Sequence, residues 1–129
     1  MKPRRKQPEQ IFQRQVADFL ALALPTPGAW FTTIPAGGGG KVRGAILKGM
    51  GYKPGTPDML VIYHGRAIWL ELKTGRRLAS KVQMQCSYDL AAAGCDWTLC
   101  HELEDVERAL MGFGVPLRAT VGGVVGVAA

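Results

Sequence analysis

The sequence predicts an α/β fold in which helices cover a mixed β-sheet. Residues 8–24 place apolar side chains at roughly the period of an α-helix. Residues 59–63 and 67–72 are two almost continuously apolar runs, which is typical of strands buried on both faces. Residues 79–93 predict a second long helix that ends at a glycine. Strands and helices that alternate in this way predict an α/β layout.

The first third of the chain predicts a helix, a strand and a long connection. A proline in the first turn favours a helix over residues 8–24, and the sequence PTPG at 25–28 ends it. Residues 30–34 have the aromatic and β-branched composition of a short strand. Residues 35–57 are rich in Gly and Pro, and we expect a connection with one short helical turn around 45–50.

The two apolar runs predict a β-hairpin. They are separated by His64-Gly65 and its neighbours, and a glycine in the second place of a two-residue turn favours such a hairpin. If His64 and Gly65 form the turn, each pair of opposed residues has numbers that sum to 129. Tyr63 then faces Arg66 across the hairpin.

The rest of the chain completes an α-β-β-β-α-β order. The helix at 79–93 is followed by a strand at 96–100 and by a last helix at 102–111. The Gly- and Val-rich end of the chain could be an added strand, a contact with a partner or a disordered end. The predicted division is a basic tail at residues 1–7, one domain at 8–111 and an apolar tail at 112–129.

Composition and charge narrow the classes of protein. The chain has 129 residues, 47% of them hydrophobic and 20% charged, which suits one domain with a buried core. Three cysteines are too few for a disulfide framework, and the polar N-terminus is not typical of a signal peptide. No stretch approaches the ~18 apolar residues that cross a bilayer. We therefore expect a cytoplasmic protein with no membrane contact.

The positive charge is concentrated in the first part of the chain. Residues 1–53 carry a net charge of +7 and the remainder −1, within a total of +6. A basic surface on one part of a small domain suits a polyanion, of which nucleic acid is the first candidate. A basic tail that keeps the protein soluble is the alternative from charge alone.

Three charged residues are predicted to meet at one end of the hairpin. Asp58 is opposed to Glu71 if the turn is at His64-Gly65, and opposed residues project from the same face about 5 Å apart. Lys73 lies two residues beyond Glu71 and therefore shares that face. Two carboxylates at this spacing can share Mg²⁺, and a neighbouring ammonium can orient water or stabilise negative charge. An ordinary pair of charges at the solvated rim of a sheet is the simpler interpretation of Glu71 and Lys73 alone.

These residues resemble the VRR-NUC group of the PD-(D/E)XK nuclease superfamily. The similarity covers about residues 9–100 and rests on several short motifs together. IPAGGGGKVRG is similar to the Pro-Asn-Gly-Gly-Lys-Arg type of loop of that group, with Ala36 where Asn is usual. The remaining matched motifs are Gly55-x-Pro57-Asp58, Glu71-x-Lys73 and a helix that carries a Gln and leads to Ala93-Gly94.

The resemblance implies a restriction-endonuclease-like core and a role for each matched residue. Asp58 and Glu71 would be metal ligands, joined by the backbone carbonyl of Leu72, and Lys73 would position or deprotonate the attacking water. Glu9 stands where the family often has a further acidic metal ligand, although an acid in the first turn of a helix is also expected from the helix dipole. Gln83 matches the helix glutamine of the family, and Gln85 is the alternative.

The expected reaction is phosphodiester hydrolysis with Mg²⁺, for which Mn²⁺ substitutes. Four basic residues on the loop that enters the site are predicted to contact DNA phosphates, and the glycines there would let the backbone approach the DNA. A loose, solvated loop is the alternative. The four residues are Lys41, Arg43, Lys48 and Lys53.

Two further motifs do not support a function. GGGGK is not a nucleotide-binding P-loop, because Pro35 stands in the place of its first glycine and Val42 follows Lys41 where Ser or Thr is required. No nucleotide cofactor is therefore expected. Cys95, Cys100 and His101 lack the paired CxxC spacing of a zinc site, and the two cysteines are better explained as buried small residues.

Small stand-alone members of the group, of bacterial or phage type, are similar to Holliday-junction resolvases. The leading expectation is thus a metal-dependent, structure-selective DNA endonuclease that acts as a homodimer, because a four-way junction needs two symmetric incisions. We expect it in the cytoplasm of a bacterial or phage-infected host cell. A nuclease for nicks, flaps or restriction-type sites is the close alternative. A catalytically inactive nucleic-acid-binding module on the same scaffold and a protein-interaction or phage structural component are the other classes.

Overall fold

The computed structural model describes residues 7–35 and 40–124. Most of the predicted basic tail, the loop residues 36–39 and the last five residues of the predicted apolar tail lie outside this range. The elements, in chain order, are α1 (Gln7–Ala23), β1 (Ala29–Thr33), α2 (Gly40–Gly49), β2 (Met59–Tyr63), β3 (Arg66–Leu72), α3 (Lys81–Ala92), β4 (Asp96–Cys100), α4 (Leu103–Gly112), β5 (Ala119–Thr120) and β6 (Gly123–Val124).

A mixed four-stranded sheet forms the centre of the fold. Its strands lie in the order β1-β2-β3-β4, so each strand pairs with its neighbour in the sequence. The first three strands are antiparallel, whereas β3 and β4 are parallel and are connected by α3. A parallel pair needs such a crossover connection, and this explains why a helix stands between these two strands. The predicted α/β fold with a mixed sheet is confirmed.

The hairpin between β2 and β3 has the predicted two-residue turn. His64 and Gly65 both have positive φ angles, of 49° and 78°. Two consecutive positive φ angles match the twist of the flanking strands, which is why a glycine in the second place favours this turn. The pairing begins with Tyr63 opposite Arg66, as the sequence predicts.

One face of the sheet packs against α1 and α4 and forms the core. Side chains alternate between the two faces of a strand, and Ile68 and Leu70 of β3 point to this face with Met59 and Val61 of β2. The core residues contributed by the two helices are Phe12, Val16, Phe19, Leu20, Ala23, Val106 and Leu110.

Arg66 connects the edge of this layer to the C-terminal segment, since its Nη1 donates to the carbonyl of Phe113 at 2.6 Å.

The opposite face of the sheet is less completely covered. Trp69 and Trp97 are neighbours across β3 and β4 and are only half-buried, while Trp30 is 58% exposed. Trp30 therefore lies outside the core. On this face α3 packs beside β4, and its Gln83 contacts Glu71 of β3. Trp30 stands at the other side of the sheet, on the edge strand β1.

The connection between β1 and β2 contains a longer helix than the sequence predicts. We expected one turn around residues 45–50, but α2 has ten residues and begins at Gly40. Its C-terminal end is a Schellman motif: Gly51 has φ 100°, and the N–H of Tyr52 donates to the carbonyl of Leu47 at 2.9 Å. The sequence KVRGAIL supplies enough helix-forming residues to extend the helix in spite of its glycine.

Residues 112–124 pack against the domain rather than apart from it. Val115 and Ala119 are buried in the common core. The N–H of Arg118 donates to the carbonyl of Ala23, at the end of α1, at 2.7 Å. This segment forms the small β5–β6 hairpin, so part of the predicted apolar tail is an added pair of strands. Within the described residues, no helix combines the length and apolar character needed to cross a membrane.

Candidate active site

Asp58 is held between two neighbouring strands immediately before β2. Its backbone carbonyl accepts a hydrogen bond from the N–H of Ile34, just after β1, at 2.8 Å. Its carboxylate Oδ2 accepts from the backbone N–H of Leu72, at the end of β3, also at 2.8 Å. Both the backbone and the side chain are therefore fixed, and the carboxylate lies at the end of β3 where the sequence predicts a site.

Glu71 is a buried carboxylic acid next to Asp58. The hairpin register continued by one residue beyond Met59 and Leu70 brings the two acids opposite one another. The side chain of Glu71 is only 2% exposed. Burial, and then the negative charge of Asp58, raise the pKa of Glu71 to about 8, although the charge of Lys73 lowers it in part. Two carboxylates in this arrangement carry an unfavourable charge that a bound cation would relieve.

Lys73 supplies a buried positive charge on the same side of the sheet. Its Nζ lies 3.8 Å from Oε2 of Glu71, and its side chain is 10% exposed. Its backbone N–H donates to the carbonyl of Cys100 at 3.0 Å, which continues the β3–β4 pairing beyond the last residue of the ladder. The sheet thus positions the ammonium beside the two acids.

Gln83 connects α3 to the carboxylate of Glu71. Its Nε2 donates to Oε2 of Glu71 at 3.1 Å. Its Oε1 accepts from the N–H of Ser80 at 2.8 Å, and Oγ of Ser80 accepts from the N–H of Gln83 at 3.2 Å. This reciprocal capping box fixes the glutamine at the start of the helix. Gln85, the sequence alternative, donates instead to Asp89 in the next helical turn at 3.1 Å.

Gly55 allows the segment before Asp58 to lie against the start of α3. A Cβ at this position would be 2.5 Å from the carbonyl oxygen of Val82 and 3.0 Å from the backbone nitrogen of Gln83. Its φ of 80° is also in the region that favours glycine. The first residue of the GxPD motif therefore permits close packing between the loop that carries Asp58 and the helix that carries Gln83.

The chemistry of these side chains fits a divalent cation. Oε1 of Glu71 is buried and has no hydrogen-bond partner among the described residues, although the oxygen beside it accepts from Gln83. A buried carboxylate oxygen without a donor is costly unless it binds something positive. Asp58 and Glu71 could hold Mg²⁺ through oxygen, the ligand atom that this ion prefers. Leu72 lies between Glu71 and Lys73, and the role of its carbonyl as a ligand stays a prediction.

The structure does not bring Glu9 to these acids. Glu9, in the first turn of α1, forms an ion pair with Arg77 in the segment after β3. Across residues 7–35 and 40–124, no three His, Cys, Asp or Glu side chains gather as a set of metal ligands. The carboxylate of Glu9 is instead paired with the guanidinium of Arg77, and its role as a third metal ligand stays a prediction.

Three of the four predicted DNA-binding residues lie on a helix instead of a loop. Lys41, Arg43 and Lys48 are exposed residues of α2, and Lys53 is exposed in the segment that follows it. We expected all four on a loop, but α2 is longer than predicted and includes three of them. Their exposure leaves all four free to meet a polyanion.

No protein-family model matches the chain, and no curated protein matches it. Comparison with solved structures finds a VRR_NUC domain protein that is similar over 82% of this chain and 87% of that chain, with a TM-score of 0.61 and 19% sequence identity. The chain has the fold of a VRR_NUC domain. At this identity, the similarity shows the restriction-endonuclease-like architecture, and the chemistry depends on the side chains of this chain.

Three residues that cap α3 or join neighbouring elements were not predicted from the sequence. Ser80 could have been found, because Ser-x-x-Gln before a helix is the signature of a capping box. Arg77 and His101 carried no such signal. The Nε2–H of His101 donates to the carbonyl of Arg77 at 2.6 Å, which joins the end of β4 to the segment after β3. A contact between residues 24 positions apart has no local pattern that would predict it.

Proposed function

We propose that this protein is a metal-dependent nuclease that hydrolyses phosphodiester bonds in DNA, with branched DNA as its preferred substrate. The solved structure that shares this fold is named a VRR_NUC domain protein, and that name supports the nuclease class. The matched motif residues Asp58, Glu71 and Lys73 support the same class, since all three stand at one end of the hairpin.

The observation that carries the proposal is the burial of Glu71 beside Asp58 and Lys73. A protein that only needed a stable sheet end would gain nothing from a carboxylate that is 2% exposed and has its pKa raised by burial and by a second acid. Strongly perturbed acids with a specific partner are frequent in functional sites. The arrangement is what a cation site requires before the cation binds.

Asp58 and Glu71 would hold the Mg²⁺, which when bound would neutralise charge at the scissile phosphate and lower the pKa of a water molecule. Lys73 has three N–H donors and orients the attacking water or a phosphate oxygen. The water oxygen would bond to phosphorus as the bond from phosphorus to the leaving oxygen breaks. The water gives up one proton and the leaving oxygen takes up one, so that one end carries the phosphate and the other a hydroxyl. Gln83 fixes the orientation of Glu71 through its 3.1 Å hydrogen bond.

The substrate is proposed to be DNA because basic residues stand on the segment that leads to Asp58. Lys41, Arg43, Lys48 and Lys53 contact backbone phosphates in this proposal. A four-way junction needs two symmetric cuts, and a domain with one such site makes both as a homodimer. The proposed cofactor is Mg²⁺, with Mn²⁺ as a substitute.

The proposal is tested by cleavage of a labelled four-way junction and of a linear duplex with the same arm sequence. Each substrate is incubated with and without Mg²⁺. Lys73→Ala is the inactive variant. Lys81→Ala is the matched control, because Lys81 is an exposed lysine on α3 with no contact to the acids.

We expect Mg²⁺-dependent cutting of the junction by the wild type and by Lys81→Ala, and none by Lys73→Ala. Equal cutting of both substrates would support the nuclease activity but contradict the preference for branched DNA. If neither substrate is cut with Mg²⁺ or Mn²⁺ although both are bound, the protein is a DNA-binding module and the proposed activity is wrong.

A further inference from the structure

The helix α2 presents an apolar stripe to solvent. Val42 is 75% exposed, Ile46 is 55% exposed and Met50 is 78% exposed. These residues are four positions apart, so they lie along one side of the helix. The N–H of Met50 donates to the carbonyl of Ile46 at 3.0 Å, which continues the helical pattern to the end of the stripe. We call these three residues the α2 stripe.

The rest of the domain does not account for the α2 stripe. No described residue of α2 is buried. A ten-residue helix in water is only marginally stable without packing, so a helix that buries nothing is expected to gain stability from a partner. The stripe is the apolar surface that such a partner would cover.

The surroundings of the stripe are cationic. Arg43 follows Val42 in the helix, while Lys41 and Lys48 are seven residues apart and share a second side. The sequence has no acidic residue between Asp18 and Asp58. A partner that covers the stripe therefore meets positive charge without any negative charge from this segment.

The stripe belongs to the segment that carries Asp58. The connection leaves the sheet after β1 and returns at Asp58, and the hydrogen bond from Ile34 to the Asp58 carbonyl joins its two ends at 2.8 Å. Whatever binds α2 therefore binds to a segment that begins and ends beside the candidate site.

We propose that the α2 stripe contacts unpaired or unstacked bases of DNA at a branch point or a single-stranded segment, while the cations of α2 contact the flanking phosphates. The inference rests on the proposed function and names the feature of the substrate that α2 selects. An intact duplex presents phosphates outward, and the side chains of Val, Ile and Met bury little apolar surface against phosphates. Opened bases present apolar faces, against which Ile and Met can insert as wedges between base steps.

The charge of α2 argues against a second copy of this chain as the occupant of the stripe. Two copies packed through their stripes would bring at least three positive charges from each copy together. Neither copy would contribute an acid from this segment. Like charges placed together at an interface are unfavourable.

The test is equilibrium binding of the full chain, without divalent cation, to fluorescent DNA. Three probes of equal length are used: a duplex, a single strand, and a fork that joins both. The stripe variant is Val42→Ser with Ile46→Ser, and the charge variant is Lys41→Ala with Lys48→Ala. Leu22→Ser is the control, because Leu22 is an apolar residue of α1 that is 71% exposed. All replaced side chains are exposed, so the melting temperature checks that each variant folds.

We expect the stripe variant to bind the fork and the single strand about tenfold more weakly, through lost burial of aliphatic surface, and the duplex within about twofold of the wild type. The charge variant is expected to bind all three probes more weakly, and Leu22→Ser to bind as the wild type does. Equal weakening on all probes, or none on any, would overturn the inference. If the wild type is a dimer and the stripe variant is a monomer, the stripe is a contact between two copies of the chain and the inference is wrong.

The readout separates this inference from the proposed function. If the wild type cuts no DNA in Mg²⁺ but the stripe variant still loses fork binding, the inference stands and the nuclease proposal fails. If the wild type binds none of the probes but cuts DNA with Mg²⁺, this inference is wrong and the nuclease proposal stands. If it cuts branched DNA but the stripe variant keeps its fork preference, the nuclease proposal stands and this inference is wrong.

Discussion

At the end of β3, Glu71 is surrounded by groups with opposing effects on its charge. Burial and Asp58 favour the protonated acid, whereas Lys73 favours the carboxylate, and the net result is a pKa raised to about 8. Gln83 donates to one oxygen of Glu71 and leaves Oε1 without a donor. The orientation of this one carboxylate therefore depends on a residue from a different element, and that dependence can be measured.

Replacing Gln83 should weaken cation binding as well as remove the capping box at the start of α3. We expect Gln83→Leu to lower Mg²⁺ affinity about 10- to 100-fold, as loss of a hydrogen bond to a metal ligand commonly does. Mg²⁺ affinity is measured by calorimetric titration. Cleavage of DNA should fall in parallel.

Two controls separate the roles of Gln83. Ser80→Ala removes the other half of the capping box and should lower the free energy of unfolding by about 1 kcal/mol with little change in Mg²⁺ affinity. Gln85→Leu, which loses only the contact with Asp89, should change neither. Equal Mg²⁺ affinity in Gln83→Leu and wild type would show that Gln83 does not orient a ligand.

At the scale of the elements, close packing between the Asp58 loop and α3 depends on Gly55. A Cβ there would be 2.5 Å from the carbonyl oxygen of Val82, and a helix backbone cannot move aside as a flexible side chain can. Gly55→Ala should therefore separate the loop from α3 and lower both stability and cleavage. Gly65→Ala is the control, since Gly65 has nearly the same φ, 78° against 80°, and no atom within 4 Å of an added Cβ.

We expect Gly65→Ala to lower the free energy of unfolding by about 1 kcal/mol through backbone strain alone. Gly55→Ala should lower the free energy of unfolding clearly more. It should also lower Mg²⁺ affinity, which Gly65→Ala should not. Chemical denaturation and Mg²⁺ titration of the two variants measure the difference. Equal effects on stability and on Mg²⁺ affinity would refute the packing role of Gly55.

Asp105 at the start of α4 predicts a pH dependence of stability. Burial raises its pKa, but the N–H of His101, the guanidinium of Arg108 and the N–H of Glu102 outweigh this effect and lower the pKa overall. A lowered pKa in the folded state stabilises the protein above the pKa of the unfolded state, near 3.8, and this contribution is lost as the pH falls through the folded value.

Asp105→Asn should therefore be less stable than the wild type at pH 7, by about 1 kcal/mol for the lost charge-assisted hydrogen bonds. The difference should shrink as the pH is lowered below 4. Denaturation of both proteins at several pH values measures it. A constant difference from pH 7 to pH 3 would show that the charge of Asp105 is not what stabilises the start of α4.

At the scale of the whole molecule, the uneven charge predicts how DNA binding depends on salt. The net charge is +7 in residues 1–53 and −1 in the remainder. If Lys41, Arg43 and Lys48 each contact a phosphate, their joint replacement by Ala should reduce the slope of log K against log salt by about 2 to 3. Arg108→Ala is the control, because this arginine pairs with Asp105 in the other part of the chain. An unchanged slope in the triple variant would exclude these contacts.

The order of the elements could be predicted from the sequence because each carries a strong local pattern. The hairpin register follows from a turn at His64-Gly65, and that register alone places Asp58 opposite Glu71. The length of α2 was missed because glycines on both sides of KVRGAIL favour a connection. The pairing of Glu9 with Arg77 was missed because it joins residues 68 positions apart, and only the packing of α1 brings the two together.

The central claim is that Asp58 and Glu71 together bind a divalent cation. It is tested most directly by crystals grown with Mn²⁺ and measured for anomalous scattering, with Glu71→Gln crystals treated in the same way. We expect an anomalous peak in contact with both carboxylates in the wild type, within reach of Lys73, and no peak there in Glu71→Gln. Wild-type crystals with no anomalous peak at these two acids, in a protein that remains folded and cuts DNA, would contradict it.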